Sequence, residues 1–275
     1  MGSSKDLIIV IKGAGEMASA IAHRLFKANF KQICMTEIKD PVTVRRMVAF
    51  SEAVYDGSMV VEDVAASLAK DRHEIAEIWA EGRIAVLIDP RWKIVDDLKP
   101  DVVIDAILAK RNLGTVKDEA PLVIGVGPGF SAPQDVHVVV ESSRGHNLGR
   151  TIYEGTAEPH TGVPGSIRGY ANERVLRSPH AGTVHHMKSI GEMVKKGDLV
   201  LLVDRTPVLA SIDGVIRGLI REIPVFAGRK LGDIDPRGEV AYCYSISDKA
   251  RAIAGGVLKA VAGWALRLSM EEEHG

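Results

Sequence analysis

The sequence predicts an α/β protein in which a mostly parallel sheet is followed by a small all-β unit and a C-terminal helix. Three patterns support this: an apolar strand running into a glycine turn, apolar strands alternating with helical segments up to Glu141, and a duplicated run of short strands over Val175–Asp235. Alternating strands and helices are typical of a parallel sheet with helices on both faces. We expect domains at 1–170 and 171–245, with the helix at 246–275 packing on the first.

The first element combines an apolar strand, a glycine turn and a helix within Leu7–Leu25. Gly13, Gly15 and Ala18 fit the pattern G-x-G-x-x-G/A, in which the glycines form a tight turn and let a pyrophosphate approach the backbone. The N-terminus of the following helix attracts phosphates. The pattern predicts a Rossmann-like unit that binds a nucleotide or a nucleotide-like cofactor. The alternative is that the glycines only shape the turn.

Two acidic residues bear on this prediction in opposite ways. Glu37 follows the second strand, roughly twenty residues past the turn, where the ribose-binding acid of such folds lies. Glu16 lies on the turn itself and would repel a pyrophosphate unless its carboxylate faces away.

Later strands contribute further candidates, because the carboxyl ends of parallel strands share one edge of the sheet. Asp105 near the end of its strand is either a site residue or a cap. Gly127 and Gly129 leave backbone amides bare, so their loop either cradles an anion or only turns the chain. Arg144 and His146 are candidate anion or substrate contacts, or else solvated loop residues.

The remaining elements follow from local patterns. Strands are expected at Gln32–Thr36, Arg83–Ile88, Asp101–Ile107, Pro121–Val126 and Val136–Glu141, while Val60–Ala69 has helical spacing. Ser247 and Asp248 can cap a helix from Lys249 to about Met270. Gly255 and Gly256 inside that helix cost about 1 kcal/mol each relative to alanine. Their presence indicates close packing or ligand approach.

The duplicated segment Val175–Asp235 resembles the biotinyl/lipoyl (barrel-sandwich hybrid) domain, whose halves carry similar Gly-Val and Gly-Asp patterns. In carrier domains of this type an exposed hairpin holds the modified lysine. The corresponding turn here, Val203–Val208, contains no lysine. We therefore expect a structural or ligand-presenting module, with no covalent biotin or lipoate.

No metal site is expected, and the cysteines leave two alternatives open. His185 and His186 point to opposite faces of a strand, and neither cysteine nor carboxylate completes a metal-binding set with His180. Cys34 and Cys243 suit a reducing cytoplasm rather than a disulfide framework. Cys243 precedes the final helix and is either a buried structural residue or a reactive thiol.

Composition limits the class of protein. The chain has 275 residues, of which 46% are hydrophobic and 26% charged, with a formal net charge of −1. This is ordinary for a soluble globular protein and predicts no general affinity for nucleic acid or an anionic membrane. No signal peptide is visible, and no apolar span reads as long enough to cross a bilayer. We expect a cytoplasmic protein, with homo-oligomerisation left open.

Several long runs, in order, resemble a single family over nearly the whole chain. They are KGAGEMASAIAHRL, MTEIKDPVTVRRMVAFSEAVYDG, VVIDAILAKRNLGT, GVGPGF, RGHNLGR and ISDKARAIAGGVL. They resemble the selenium-dependent molybdenum hydroxylase system protein family, whose members are regarded as maturation factors. The resemblance implies a cytoplasmic accessory protein acting on a molybdenum hydroxylase client, its pterin cofactor, or selenium delivery, for which Cys243 is the better thiol.

Three hypotheses follow. The first is a maturation factor that binds a nucleotide-bearing cofactor, since molybdopterin dinucleotide and NAD(P) both present a pyrophosphate and a ribose. The second is an NAD(P)-dependent oxidoreductase with Asp105, Arg144 or His146 near the nicotinamide, although no Tyr-x-x-x-Lys pair supports it. The third is a non-catalytic binding module.

Overall fold

The computed structural model describes residues 7–274, with side chains up to Met270. Contacts within the chain divide it into two units. Unit 1 consists of the residues up to Pro41, of Ala49–His160, and of the segment from Ile246 onward. Unit 2 consists of Val42–Val48 and Thr161–Ser245.

The strands of unit 1 are short and mostly apolar. They are β1 (Ile8–Lys12), β2 (Gln32–Glu37), β3 (Ser58–Val61), β4 (Val64–Ala69), β5 (Ile84–Ile88), β6 (Val102–Asp105), β7 (Leu122–Val126), β8 (Ser131–Ala132), β9 (Val138–Val140), β10 (Thr151–Ile152) and β11 (Gly155–Thr156). Nine of them form one mixed sheet in the order β10-β9-β7-β6-β1-β2-β5-β4-β3. Its inner strands are parallel, and β3 and β10 run antiparallel at the two edges. β8 and β11 form a separate pair.

Helices cover this sheet. They are α1 (Glu16–Lys27), α2 (Ala53–Asp56), α3 (Arg72–Ala80), α4 (Ile94–Leu98) and α5 (Asp248–His274). α1 packs along α5, which also contacts β7, β9 and β10, whereas α3 packs on β4, β5 and α4. Because both faces are covered, the central strands are apolar almost throughout. Val10, Val103 and Val123 are fully buried in one of the resulting cores.

Unit 2 is all-β. Its strands are β12 (Val175–Arg177), β13 (Gly182–His186), β14 (Met193–Val194), β15 (Leu199–Val203), β16 (Thr206–Leu209), β17 (Gly214–Leu219), β18 (Pro224–Val225) and β19 (Lys230–Asp235). They form two four-stranded antiparallel sheets, ordered β12-β19-β17-β14 and β16-β15-β13-β18. Side chains such as Val184, Val203, Ile216 and Leu231 are fully buried in one cluster.

The predicted fold class is wrong as stated. Unit 1 has a mixed sheet with an antiparallel strand at each edge instead of a Rossmann-like parallel sheet. Unit 2 has two separate antiparallel sheets instead of a barrel-sandwich hybrid of the biotinyl/lipoyl type. One physical cause is the hairpin of β3 and β4. Its turn at Glu62, with φ of 53°, reverses a segment whose apolar spacing predicts a helix.

α5 is the one helix within the described residues that is long and apolar enough, by length and composition, to cross a membrane; the qualifying span is Asp248–Met270, 23 residues. The expectation of no such span is therefore wrong by that criterion. However, Ile253, Val257 and Val261 are fully buried. These side chains show that one face of α5 packs within unit 1.

Candidate functional site

The glycine turn between β1 and α1 is shaped by a close approach of backbone. Gly13 has φ of +94°, and a Cβ atom there would lie 3.3 Å from Ile107 Cα and 3.4 Å from the carbonyl carbon of Ala106. Its amide donates to Thr36 O at 2.9 Å. Only glycine readily adopts this φ and also leaves room for the backbone of Ala106 and Ile107. Gly13 therefore lets the segment after β6 pack directly on the turn.

The N-terminus of α1 has no side-chain cap. Gly15 is the N-cap residue, in extended conformation, and no side chain accepts a hydrogen bond in capping geometry. Ser19 Oγ instead donates to Ala14 O and accepts from the Phe50 amide, at 2.9 and 2.8 Å. Ala18 is fully buried, as the close packing of helix and strand requires. No side-chain oxygen therefore occupies the cap position of α1.

Glu37, at the end of β2, binds the turn directly. Its Oε2 accepts from the Ala14 amide at 3.1 Å and its Oε1 from the Ile38 amide at 2.8 Å. Burial raises the pKa of Glu37, and the hydrogen bonds that its carboxylate accepts from these two backbone amides oppose the rise. Each carboxylate oxygen has a second lone pair, so the group can still accept a bond from a ligand hydroxyl.

Glu16 directs its carboxylate toward the start of α5. Its Oε1 accepts from Ser247 Oγ at 2.9 Å. The same Oγ accepts from the Ala250 amide at 3.3 Å and so caps α5. The N-termini of α1 and α5 therefore meet around one carboxylate, which both helix dipoles stabilise.

A buried polar network lies at the ends of β1 and β6. Lys12 is fully buried; its Nζ donates to Thr115 Oγ1 and to Glu119 Oε1, both at 2.8 Å, and lies 4.3 Å from the centre of the Trp92 ring. Thr115 Oγ1 donates to Asp105 Oδ2 at 2.8 Å. The network ties the segment after β6 to the strand that precedes the glycine turn.

Asp105, a predicted site residue, belongs to this network. Its Oδ1 accepts from the Ile107 amide at 3.1 Å, so it also caps the segment after its own strand. Burial raises the pKa of Asp105, against the hydrogen bonds and the charge of Lys12. Lys12 was not among the residues predicted from the sequence. Its position at the end of an otherwise apolar strand was the one feature that could have indicated a buried role.

Gly127 and Gly129 serve the packing of neighbouring loops. Both have positive φ; a Cβ at Gly127 would collide with Ser142 Oγ, and one at Gly129 would lie 2.6 Å from Arg111 Cα. The Gly127 amide donates to Val140 O at 2.8 Å. These contacts bring the segments after β6, β7 and β9 together.

Three basic residues lie where these segments meet the start of α5. Arg144 forms a two-pronged ion pair with Asp248, at 2.8 and 3.2 Å. Lys249 is half-buried, and its ammonium group makes no hydrogen bond or ion pair with any residue that the structure describes. Partial burial lowers the pKa of Lys249, and the positive charges of Lys110 and Arg144 lower it further.

Two other predicted site residues do not join this group. His146 is exposed. Cys243 belongs to unit 2 and is fully buried, with Sγ donating to Ile216 O at 3.6 Å. Burial raises the pKa of the Cys243 thiol, and burial raises that of Cys34 to about 12. Neither thiol has the low pKa of a reactive cysteine.

Two of the three histidines considered as metal ligands bond to oxygen atoms of unit 2. His180 Nε2 pairs with Thr206 Oγ1 at 2.8 Å, and His186 Nε2 with Ile220 O at 2.8 Å. Within the part of the chain that the structure describes, no three or more His, Cys, Asp or Glu side chains are grouped to hold a metal ion.

No protein-family model matches the chain. A curated relative, described as the uncharacterized protein YqeB of Escherichia coli (strain K12), is 48% identical over 255 residues, which is 92% of this chain and 47% of the relative. The chain thus spans about half the length of the curated relative it matches.

Solved structures give only weak likenesses. TcdA (CsdL) covers 95% of this chain and 88% of its own, with 15% identity and a TM-score of 0.35. An aspartoacylase family protein from Mesorhizobium loti covers 83% and 84%, with 13% identity and a TM-score of 0.27. A succinylglutamate desuccinylase from Silicibacter sp. covers 83% and 84%, with 14% identity and a TM-score of 0.25. Likenesses at this level define neither fold nor activity.

The expected membership in the selenium-dependent molybdenum hydroxylase system family is wrong on these findings. No family model supports it, and the E. coli relative is described without a function. The maturation function and the selenium chemistry that this resemblance implied are wrong as well.

Proposed function

We propose that unit 1 binds a nucleotide, with a phosphate at the N-terminus of α1 and the ribose at Glu37. The observation that carries this proposal is the uncapped start of a 12-residue helix, directly after the tight turn at Gly13 and beside a carboxylate. An uncapped helix N-terminus favours phosphate because its amides and dipole point at the same place.

The position in the sheet supports the same proposal. From β1 the chain moves to β2 on one side, and it returns at β6 on the other side of β1. In open α/β sheets ligands bind outside the carboxyl ends of the strands at such a reversal. The glycine turn, Glu37 and the segment after β6 all lie at this edge.

The contacts of the two nearby carboxylates are compatible with an anion. Glu16 accepts from Ser247 and so has a partner within the protein. Glu37 accepts from two amides and keeps lone pairs for ribose hydroxyls. NAD, NADP and molybdopterin dinucleotide all share the phosphate and ribose that this arrangement would recognise. We place the protein in the cytoplasm because both cysteines are free.

Calorimetric titration with AMP, NAD, NADP and molybdopterin dinucleotide tests the proposal. We expect binding of at least one, and a loss of about tenfold or more in Glu37→Gln, because a hydrogen bond to a charged acceptor contributes about 1.5–3 kcal/mol. Glu77→Gln, an exposed change on α3, is the matched control. If none of the four binds, or if Glu37→Gln binds like the wild type, the proposal is wrong.

A further inference from the structure

We infer that unit 2 carries a reactive threonine: His180 is the general base for the Thr206 hydroxyl, which accepts an acyl group from an activated ester or thioester. Thr206 Oγ1 lies 2.8 Å from His180 Nε2. A hydroxyl within hydrogen-bond reach of a base, with that base oriented by a third group, is the arrangement that activates a nucleophile. Both residues belong to unit 2, so this activity is independent of nucleotide binding by unit 1.

The hydrogen bond at the other ring nitrogen determines which atom of His180 is basic. Nδ1 lies 2.9 Å from Ala181 O. A carbonyl oxygen can only accept, so this network assigns the proton of the neutral ring to Nδ1 and the lone pair to Nε2. The Thr206 hydroxyl therefore donates to Nε2. The base thus already faces the proton that must leave before the oxygen becomes a strong nucleophile.

Backbone hydrogen bonds hold the segment that carries the base. Ser178 is buried, and its Oγ donates to His180 O at 2.5 Å. Its amide donates to Arg229 O at 2.9 Å, and its carbonyl oxygen accepts from the Gly228 amide at 2.8 Å. The segment before β13 is therefore tied to the segment before β19, which fixes the position of the imidazole ring.

The hairpin of β15 and β16 holds the nucleophile. Thr206 is the first residue of β16 and pairs with Val203 of β15. In the turn between them, the Asp204 amide donates to Thr183 O at 2.8 Å, and Asp204 Oδ1 accepts from the Thr183 amide at 2.9 Å. A Cβ atom at Gly182 would collide with the Asp204 carboxylate. The turn is thus packed closely on β13, which begins two residues after His180.

A second histidine of unit 2 shows what a purely structural arrangement looks like. His186 Nε2 lies 2.8 Å from Ile220 O, so that nitrogen carries the proton and donates to backbone. His180 instead directs a lone pair at a side-chain hydroxyl. His180 and Thr206 are both half-buried, so a small reagent can reach them from solvent while the surrounding backbone keeps them aligned.

The acyl transfer balances without a further reactant. Thr206 Oγ1 forms a bond to the carbonyl carbon of the donor while its proton moves to His180 Nε2. The bond from that carbon to the leaving oxygen or sulfur then breaks, and the imidazolium returns the proton to the leaving group. The products are a threonine ester and a free alcohol or thiol. Water that loses a proton to His180 in the same way hydrolyses the ester and restores the hydroxyl.

Reaction of the full chain with p-nitrophenyl acetate tests this activity. We expect the wild type to release p-nitrophenolate and to gain one acetyl group, which peptide mass spectrometry locates on Thr206. Thr206→Val has nearly the same shape and should abolish the adduct, whereas Thr206→Ser should retain it. His180→Gln should slow acetylation by about 100-fold or more, since a positioned general base contributes about 10²–10⁴-fold.

Matched controls separate this site from general surface reactivity. Thr161→Val removes an exposed threonine of unit 2, and His185→Gln removes an exposed histidine of β13. Neither change should alter the rate or the position of acetylation. A wild-type protein with no acetyl group on Thr206 would overturn the inference, and this result does not depend on whether any variant folds. Acetylation of Thr206 at an unchanged rate in His180→Gln would overturn it as well.

Discussion

Two lysines near the same edge of the unit 1 sheet are withdrawn from water in different ways. Lys12 is fully buried, and its ammonium has two hydrogen-bond acceptors and an aromatic face. Lys249 is less buried, yet it lies near two cations and makes no ion pair with a described residue. Burial alone therefore does not distinguish them, whereas the presence of partners does.

The difference separates a charge with matched partners from a charge without them. A buried charge with matched partners makes the fold depend on it, because its removal leaves those partners unpaired. A half-buried charge without partners destabilises the fold, because its desolvation is not compensated. Variants at the two positions should therefore change stability in opposite directions.

Lys12→Met should give the largest effect, a loss of about 3 kcal/mol in the free energy of unfolding. The change leaves Glu119, whose side chain is only 17% exposed, without its cation and removes the donor to Thr115. Urea unfolding measures this loss. In the control Lys70→Met, the lost ion pair with Glu74 is exposed and should contribute less than about 0.5 kcal/mol. A loss below about 1 kcal/mol at Lys12 would show that the network is not structural.

Gly256→Ala should be next, destabilising by about 2 kcal/mol, because its new Cβ would collide with the Gly149 carbonyl oxygen. Gly255→Ala meets open space and should stabilise α5 by up to about 1 kcal/mol. The pair tests whether α5 is held tightly to the segment that carries Arg144, which pairs with Asp248 at the start of α5. Equal values for the two variants in urea unfolding would contradict this packing.

Gly13→Ala should cost about 1–2 kcal/mol, since an L side chain at φ of +94° is strained and its Cβ would press on Ile107. Gly57→Ala has a similar φ of +78° but meets no atom within 4 Å, so it isolates the cost of φ. We expect Gly13→Ala alone to weaken nucleotide binding in calorimetry. Equal binding by both variants would mean that the turn is only structural.

Local features of the sequence predicted the glycine turn, the position of Glu37 and the strands near Arg83–Ile88 and Pro121–Val126. The prediction of close packing at Gly255 and Gly256 is confirmed for Gly256. These features depend on short spacings, which a single sequence displays directly.

Contacts between residues that are far apart in the sequence could not be predicted from local patterns. Lys12 meets Thr115 and Glu119 across more than a hundred residues, so its burial and its partners leave no local trace. The missing partner of Lys249 depends on four separate segments. Strand direction is also non-local, since apolar spacing at Val60–Ala69 fits a helix while the turn at Glu62 forms a hairpin.

Lys249→Met should give the smallest change, and one of opposite sign: a gain of about 0.5–1 kcal/mol in the free energy of unfolding. The folded state disfavours the ammonium, so replacing it with an apolar side chain of similar length removes a penalty while keeping the packing. The pH dependence checks the cause. Because the pKa of Lys249 is lowered in the folded state, its penalty applies below the folded pKa and fades as pH rises through that value toward the unfolded one. The gain should therefore be present at pH 7 and shrink at alkaline pH, and a loss of stability at pH 7 would show that Lys249 is a structural charge like Lys12.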